Sequence, residues 1–63
     1  MSDFQKRVLE ESIELGNKIT KLGEFLKSDK VGEIDSDQEA LLGIQLVAMQ
    51  TYQRCLLARI DKM

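Results

Sequence analysis

Phe4, Val8, Leu15, Ile19, Leu22 and Leu26 recur at intervals of three, four and seven residues, the spacing of one face of an α-helix. Ser2 followed three residues later by Gln5 has the form of a capping box, in which each side chain satisfies an orphan amide of the other. The pattern predicts a first helix from about residue 3 to 27. The stretch "SDKVGEIDSD", residues 28–37, then interrupts it with small, acidic and glycine residues. Within it Ser28 is placed to cap one short helical turn, and Val31 and Ile34, three apart, to close the end of a hairpin. Ser36 with Glu39 reads as a second capping box, after which a second helix is predicted from about 37 to 62. With a connection as short as 28–36 the two helices must be antiparallel neighbours. Residues 1–63 therefore read as a single domain, an all-α antiparallel two-helix hairpin with a short helical turn in the connection.

The two stripes set a register. Running Leu42, Leu46, Met49, Gln53, Leu56 and Ile60 backwards against the first helix puts Leu22 by Leu42, Ile19 by Leu46, Leu15 by Met49 and Val8 by Leu56. Ser12 and Gln53, the polar members of the two stripes, fall opposite each other. A side-chain hydrogen bond between them would fix the register, because a slip leaves each buried and unpaired; placement near the solvent edge is the alternative.

The second helix is too apolar for a hairpin. Outside its inner stripe it carries Leu41, Ile44, Val47, Ala48, Tyr52, Cys55, Leu57 and Ala58, leaving only the narrow sector of Gly43, Gln50, Arg54 and Asp61 free of apolar side chains. A helix apolar nearly all round is one buried nearly all round, and one partner helix cannot do that. The expectation is an oligomeric bundle with the second helix inside, its interface formed by Leu41, Ile44, Val47, Ala48, Cys55 and Leu57. Gly16 and Gly23, each costing a helix roughly 1 kcal/mol relative to alanine, lie beside the seam of the first helix. They are expected to let a neighbouring subunit approach closely; the functional alternative is a shallow groove in which a ligand meets the backbone.

Composition supports self-association. A chain of 63 residues buries only about 60% of its unfolded surface and needs a staple or a partner. Its single cysteine excludes an internal disulfide, and the apolar neighbours of Cys55 suggest a buried, reduced thiol. With no histidine, the commonest metal ligand and general base is missing, and no metal or cofactor is expected. Nine basic and eleven acidic residues are well mixed, which argues against binding duplex nucleic acid. The longest uncharged stretch, Ala40 to Gln53, holds three glutamines and is too short and polar to span a bilayer. Without the apolar core of a signal peptide at the N-terminus, a cytoplasmic protein is expected.

No catalytic set is recognisable, and an enzyme is not expected. "DSDQE" (35–39) lacks the glycine and closing glutamate of a calcium loop and reads better as a helix N-terminus. One stripe has binding chemistry: Gln45, Tyr52 and Arg59, seven apart on the second helix. A tyrosine stacks on a base, an arginine pairs with phosphate and a glutamine reads a base edge. Arg7 and Lys18 on the flank of the first helix would add positive charge. The plainer reading places Tyr52 at a subunit interface and pairs Arg59 with Glu10 or Glu11.

The layout "FQKRVLEE…L…KLGEFLKSDKVGEIDSDQEALLGIQLVAMQTYQRCLLARI" resembles a group of very short phage-encoded proteins. These share a long helix, a turn with a serine and two apolar residues, and a second helix rich in glutamate and leucine that ends in Arg-Ile. The matching residues here are Phe25-Leu26, Ser28, Val31 and Ile34, then Glu39, Leu41-Leu42, Gln45, Met49, Tyr52, Leu56 and Arg59-Ile60. In architecture the chain is also similar to the helical-hairpin sponges with which phages sequester cyclic-nucleotide signals of bacterial immunity, the anti-CBASS and anti-Thoeris proteins. The resemblance implies a homo-oligomer in the host cytoplasm that holds a cyclic nucleotide or an ADP-ribose-type molecule between subunits. A small oligomeric adaptor or inhibitor that docks a host or phage protein is the other expectation.

Overall fold

The computed structural model describes residues 2–63: helix α1 (Asp3–Lys27), a short 3₁₀ turn (Asp29–Glu33) and helix α2 (Ser36–Asp61). The two long helices pack along their length into a rod of 44 × 15 × 14 Å. Both bonds of the first capping box form, the Ser2 amide donating to Gln5 Oε1 and the Gln5 amide to Ser2 Oγ, each at 3.1 Å.

The second helix starts one residue earlier than its sequence suggests. Its cap is Asp35, not Ser36, and Asp35 Oδ1 accepts from the Gln38 amide at 2.8 Å. An aspartate satisfies the orphan amide as well as serine does and adds a negative charge at the positive end of the helix. Ser28 does sit at the head of the short turn, but its hydroxyl points back and donates to the Phe25 carbonyl at 2.7 Å. Val31 and Ile34 are half-buried there.

The core is thin. Val8, Leu15 and Leu56 are buried, Leu56 completely, with Ile19, Met49 and Ile60 packed around them. Burying one such side chain contributes about 1.5–3 kcal/mol, which makes Leu56 the centre of the hairpin. Phe4, placed on the inner stripe by periodicity, is instead 61% exposed. It lies at the open end of the hairpin, where the last turn of α2 covers it only in part.

Ser12 is buried, as its place in the register requires. The bond across that layer differs from the expected one: Gln53 Nε2 donates to the backbone carbonyl of Ser12, at 2.9 Å, rather than to its hydroxyl. Gln53 Oε1 is buried without a partner. Gly16 explains how the amide fits, since a Cβ at that position would stand 3.3 Å from Gln53 Nε2. The room left by Gly16 is thus taken by a side chain of the same chain, whereas a Cβ on Gly23 would meet nothing within 4 Å.

On the far side of α2 a broad apolar surface stays open. Leu41, Ile44, Val47 and Leu57 are all more than half exposed, and Ala48 is exposed as well. Cys55 belongs to this surface and not to the interior. Its neighbour Leu56 takes the core, and a helix turns about 100° between adjacent residues, which carries the thiol outward. Among the described residues no helix is long and apolar enough to cross a membrane.

Candidate functional site

Two grooves bring together residues with candidate binding chemistry. The first, about 560 Å³, runs between the helices and has a floor of Leu15, Leu22 and Met49. Its polar edge is Lys18 and Lys21 from α1 and Gln45 from α2. Lys18 and Lys21 are three apart and so neighbours on one helix flank. Gln45 and Met49 are four apart, and the glutamine amide lies 3.9 Å from the methionine sulfur. Two ammonium groups and an amide over an apolar floor suit a ligand that is anionic at one end and flat and apolar at the other.

The second groove, about 440 Å³, lies at the open end of the hairpin and is lined by Phe4, Cys55, Ala58, Arg59, Lys62 and Met63. The Arg59 guanidinium carbon stands 5.7 Å from the centroid of the Phe4 ring. This cation–π contact, worth about 0.5–1 kcal/mol at an exposed site, replaces the expected pairing of Arg59 with Glu10 or Glu11. It also gives the exposed Phe4 ring its partner, and it presents a guanidinium beside an aromatic face and the Lys62 ammonium.

The stripe of Gln45, Tyr52 and Arg59 is therefore divided. Fourteen residues of helix separate its ends by about 21 Å, so within one chain a small molecule meets either Gln45 or Arg59. Lys18 lines the same groove as Gln45. Tyr52 is exposed between the two grooves, and Arg7 is exposed on α1 and lines neither. Lys21, Phe4 and Lys62 belong to these sites and were not singled out by sequence. Lys21 was legible from its spacing to Lys18, and Phe4 from the antiparallel register, which carries the start of α1 to the end of α2.

Comparison with known proteins bears on the same residues. The chain is 38% identical over 60 residues to an uncharacterized 7.5 kDa protein of the denB–rIIB intergenic region of Enterobacteria phage T4. That match spans 95% of this chain and 94% of the phage protein. No solved structure matches the chain. Residues 2–62 match the family described as Sequestin. From the N-cap of α1 to the C-cap of α2, this chain belongs to the Sequestin family.

Proposed function

We propose that this protein is a non-enzymatic counter-defence protein of phage type that sequesters a nucleotide immune messenger, between the subunits of an oligomer, in the host cytoplasm. The observation that carries the reading is the groove edged by Lys18, Lys21 and Gln45 over an apolar floor. Its two cations suit phosphates, its amide suits a base edge, and its size suits a small ligand rather than a polymer. The family's name and the relatedness to a small phage protein point the same way. No bond is made or broken in this reading; binding lowers the free concentration of the messenger.

The test is thermal denaturation with a panel of cyclic di- and trinucleotides and cyclic ADP-ribose derivatives. A true ligand at about a hundred times its dissociation constant stabilises the protein by roughly 2.7 kcal/mol, which raises the melting temperature measurably. Replacing Lys18 and Lys21 by alanine should remove that shift and leave the helical content intact, because both are exposed. If no member of the panel shifts the transition, sequestration of such a messenger is wrong.

In that event a second reading takes over. The open apolar face of Leu41, Ile44 and Val47 suits a small adaptor or inhibitor that docks a host or phage protein, and a co-purifying protein would identify it.

A further inference from the structure

The open face of α2 is complementary to itself. Reversed against a copy of itself about a point between Met49 and Gln50, the helix sets Leu41 against Ala58, Ile44 against Cys55 and Ala48 against Thr51. Each layer then pairs a larger side chain with a smaller one, and at the ends Asp37 meets Lys62. These eight positions follow one another at alternating steps of four and three, the seam of an antiparallel coiled coil, and all are exposed in the single chain.

The area agrees. The chain exposes 4967 Å², whereas a compact protein of its mass exposes about 4,100 Å². The rod shape of the hairpin leaves that surplus open, and it is of the order of the roughly 800 Å² that each partner buries in a standard interface.

We propose that two copies associate through antiparallel packing of α2 on α2, with the two-fold axis at the level of Met49 and Gln50. The proposal deepens the oligomer assumed under the sequestration reading and rests on it. It has a consequence for the site. Gln38, Gln45, Tyr52 and Arg59, seven apart, run along one rim of the seam. The two-fold sets Gln45 of one copy across that rim from Tyr52 of the partner subunit. The groove that holds Lys18, Lys21 and Gln45 in one chain thereby gains an aromatic face from the other, and the site is completed by the second copy.

The native cysteine supplies the test. In the proposed packing the two Cys55 residues of a dimer are eleven residues apart in register, about 16 Å, beyond the roughly 7 Å that a disulfide spans between Cα atoms. Mild oxidation should leave the wild-type protein uncrosslinked. Ile44→Cys, with Cys55 retained, should convert most of the protein into a covalent dimer. In a Cys55→Ser background, Leu41→Cys combined with Ala58→Cys should crosslink 41 to 58 and not like to like, read by peptide mass mapping. Ile44, Leu41 and Ala58 are exposed, so unchanged circular dichroism should accompany each variant.

Crosslinking of the wild type through Cys55 would mean parallel packing and overturn the proposal. An oligomer by sedimentation in which neither variant crosslinks as stated would overturn the register while leaving sequestration to the thermal-shift result. A wild-type monomer at micromolar concentration would overturn both the dimer and the inter-subunit site, even if a nucleotide still bound the single chain.

Discussion

Helices α1 and α2 are nearly equal in length, 25 and 26 residues, and they solve different problems. α1 carries ten charged residues, and its main apolar stripe is narrow enough for a single neighbour to cover most of it. α2 carries five charged residues and apolar side chains around most of its circumference. Packing α1 on its inner face leaves the outer face as it was. The contrast teaches that a helix's demand for partners can be counted from the width of its apolar arc. In the single chain α1 leaves scattered apolar side chains exposed, whereas α2 leaves a broad apolar face open.

The largest expected effect falls on the core between the two helices. Leu56→Ala removes the completely buried side chain and should cost about 2–5 kcal/mol, read as a fall in the urea midpoint. Its neighbour Leu57 is 52% exposed, and Leu57→Ala should cost no more than about a third of that. A similar loss at both would mean that the inner and outer faces of α2 do not differ as described.

Ile13 on α1 and Ile44 on α2 offer the cleanest contrast, because both are 65% exposed. If exposure alone decided the outcome, Ile13→Glu and Ile44→Glu would behave alike, within about 0.5 kcal/mol of wild type. With α2 as the interface, Ile44→Glu should give a monomer by sedimentation and abolish the concentration dependence of the melting temperature. Ile13→Glu should change neither.

The two glycines of α1 separate next. Gly23→Ala meets no neighbour and should stabilise the chain by about 0.4–1 kcal/mol. Gly16→Ala gains the same propensity but drives a methyl to 3.3 Å from Gln53 Nε2, so its net gain should be smaller and should vanish when the glutamine bond is lost. The smallest effect is expected at Ser12. Since Gln53 binds the carbonyl and not the hydroxyl, Ser12→Ala should change stability by no more than about 0.5 kcal/mol in denaturant titration.

Much of this was legible from residue spacing. The capping box at Ser2 and Gln5, the helix limits to within a residue, the layer of Ser12 and Gln53 and the open face of α2 all follow from periodicity and capping chemistry. These depend on residues three or four apart, which a helix brings together whatever surrounds it. The candidate site was legible only in part, for Lys18 and Gln45 do share a groove while Arg59 stands at the other end of the rod. A stripe drawn on a helical wheel shows direction but compresses distance, and two heptads, about 21 Å, already exceed a small ligand.

What the sequence by itself determined is therefore the pair of helices, their antiparallel order and the surplus of apolar surface on α2. Only the tertiary structure decided which atom receives the Gln53 amide, that Gly16 makes room for it, that Phe4 lies under Arg59 and that Cys55 faces outward. Those outcomes turn on the distance and rotation between the two packed helices, and differences of an ångström or a few tens of degrees select one hydrogen-bond acceptor or one exposed face over another. Such quantities are set by the fit of Val8, Leu15 and Leu56 in the core, and no local pattern along the chain encodes them.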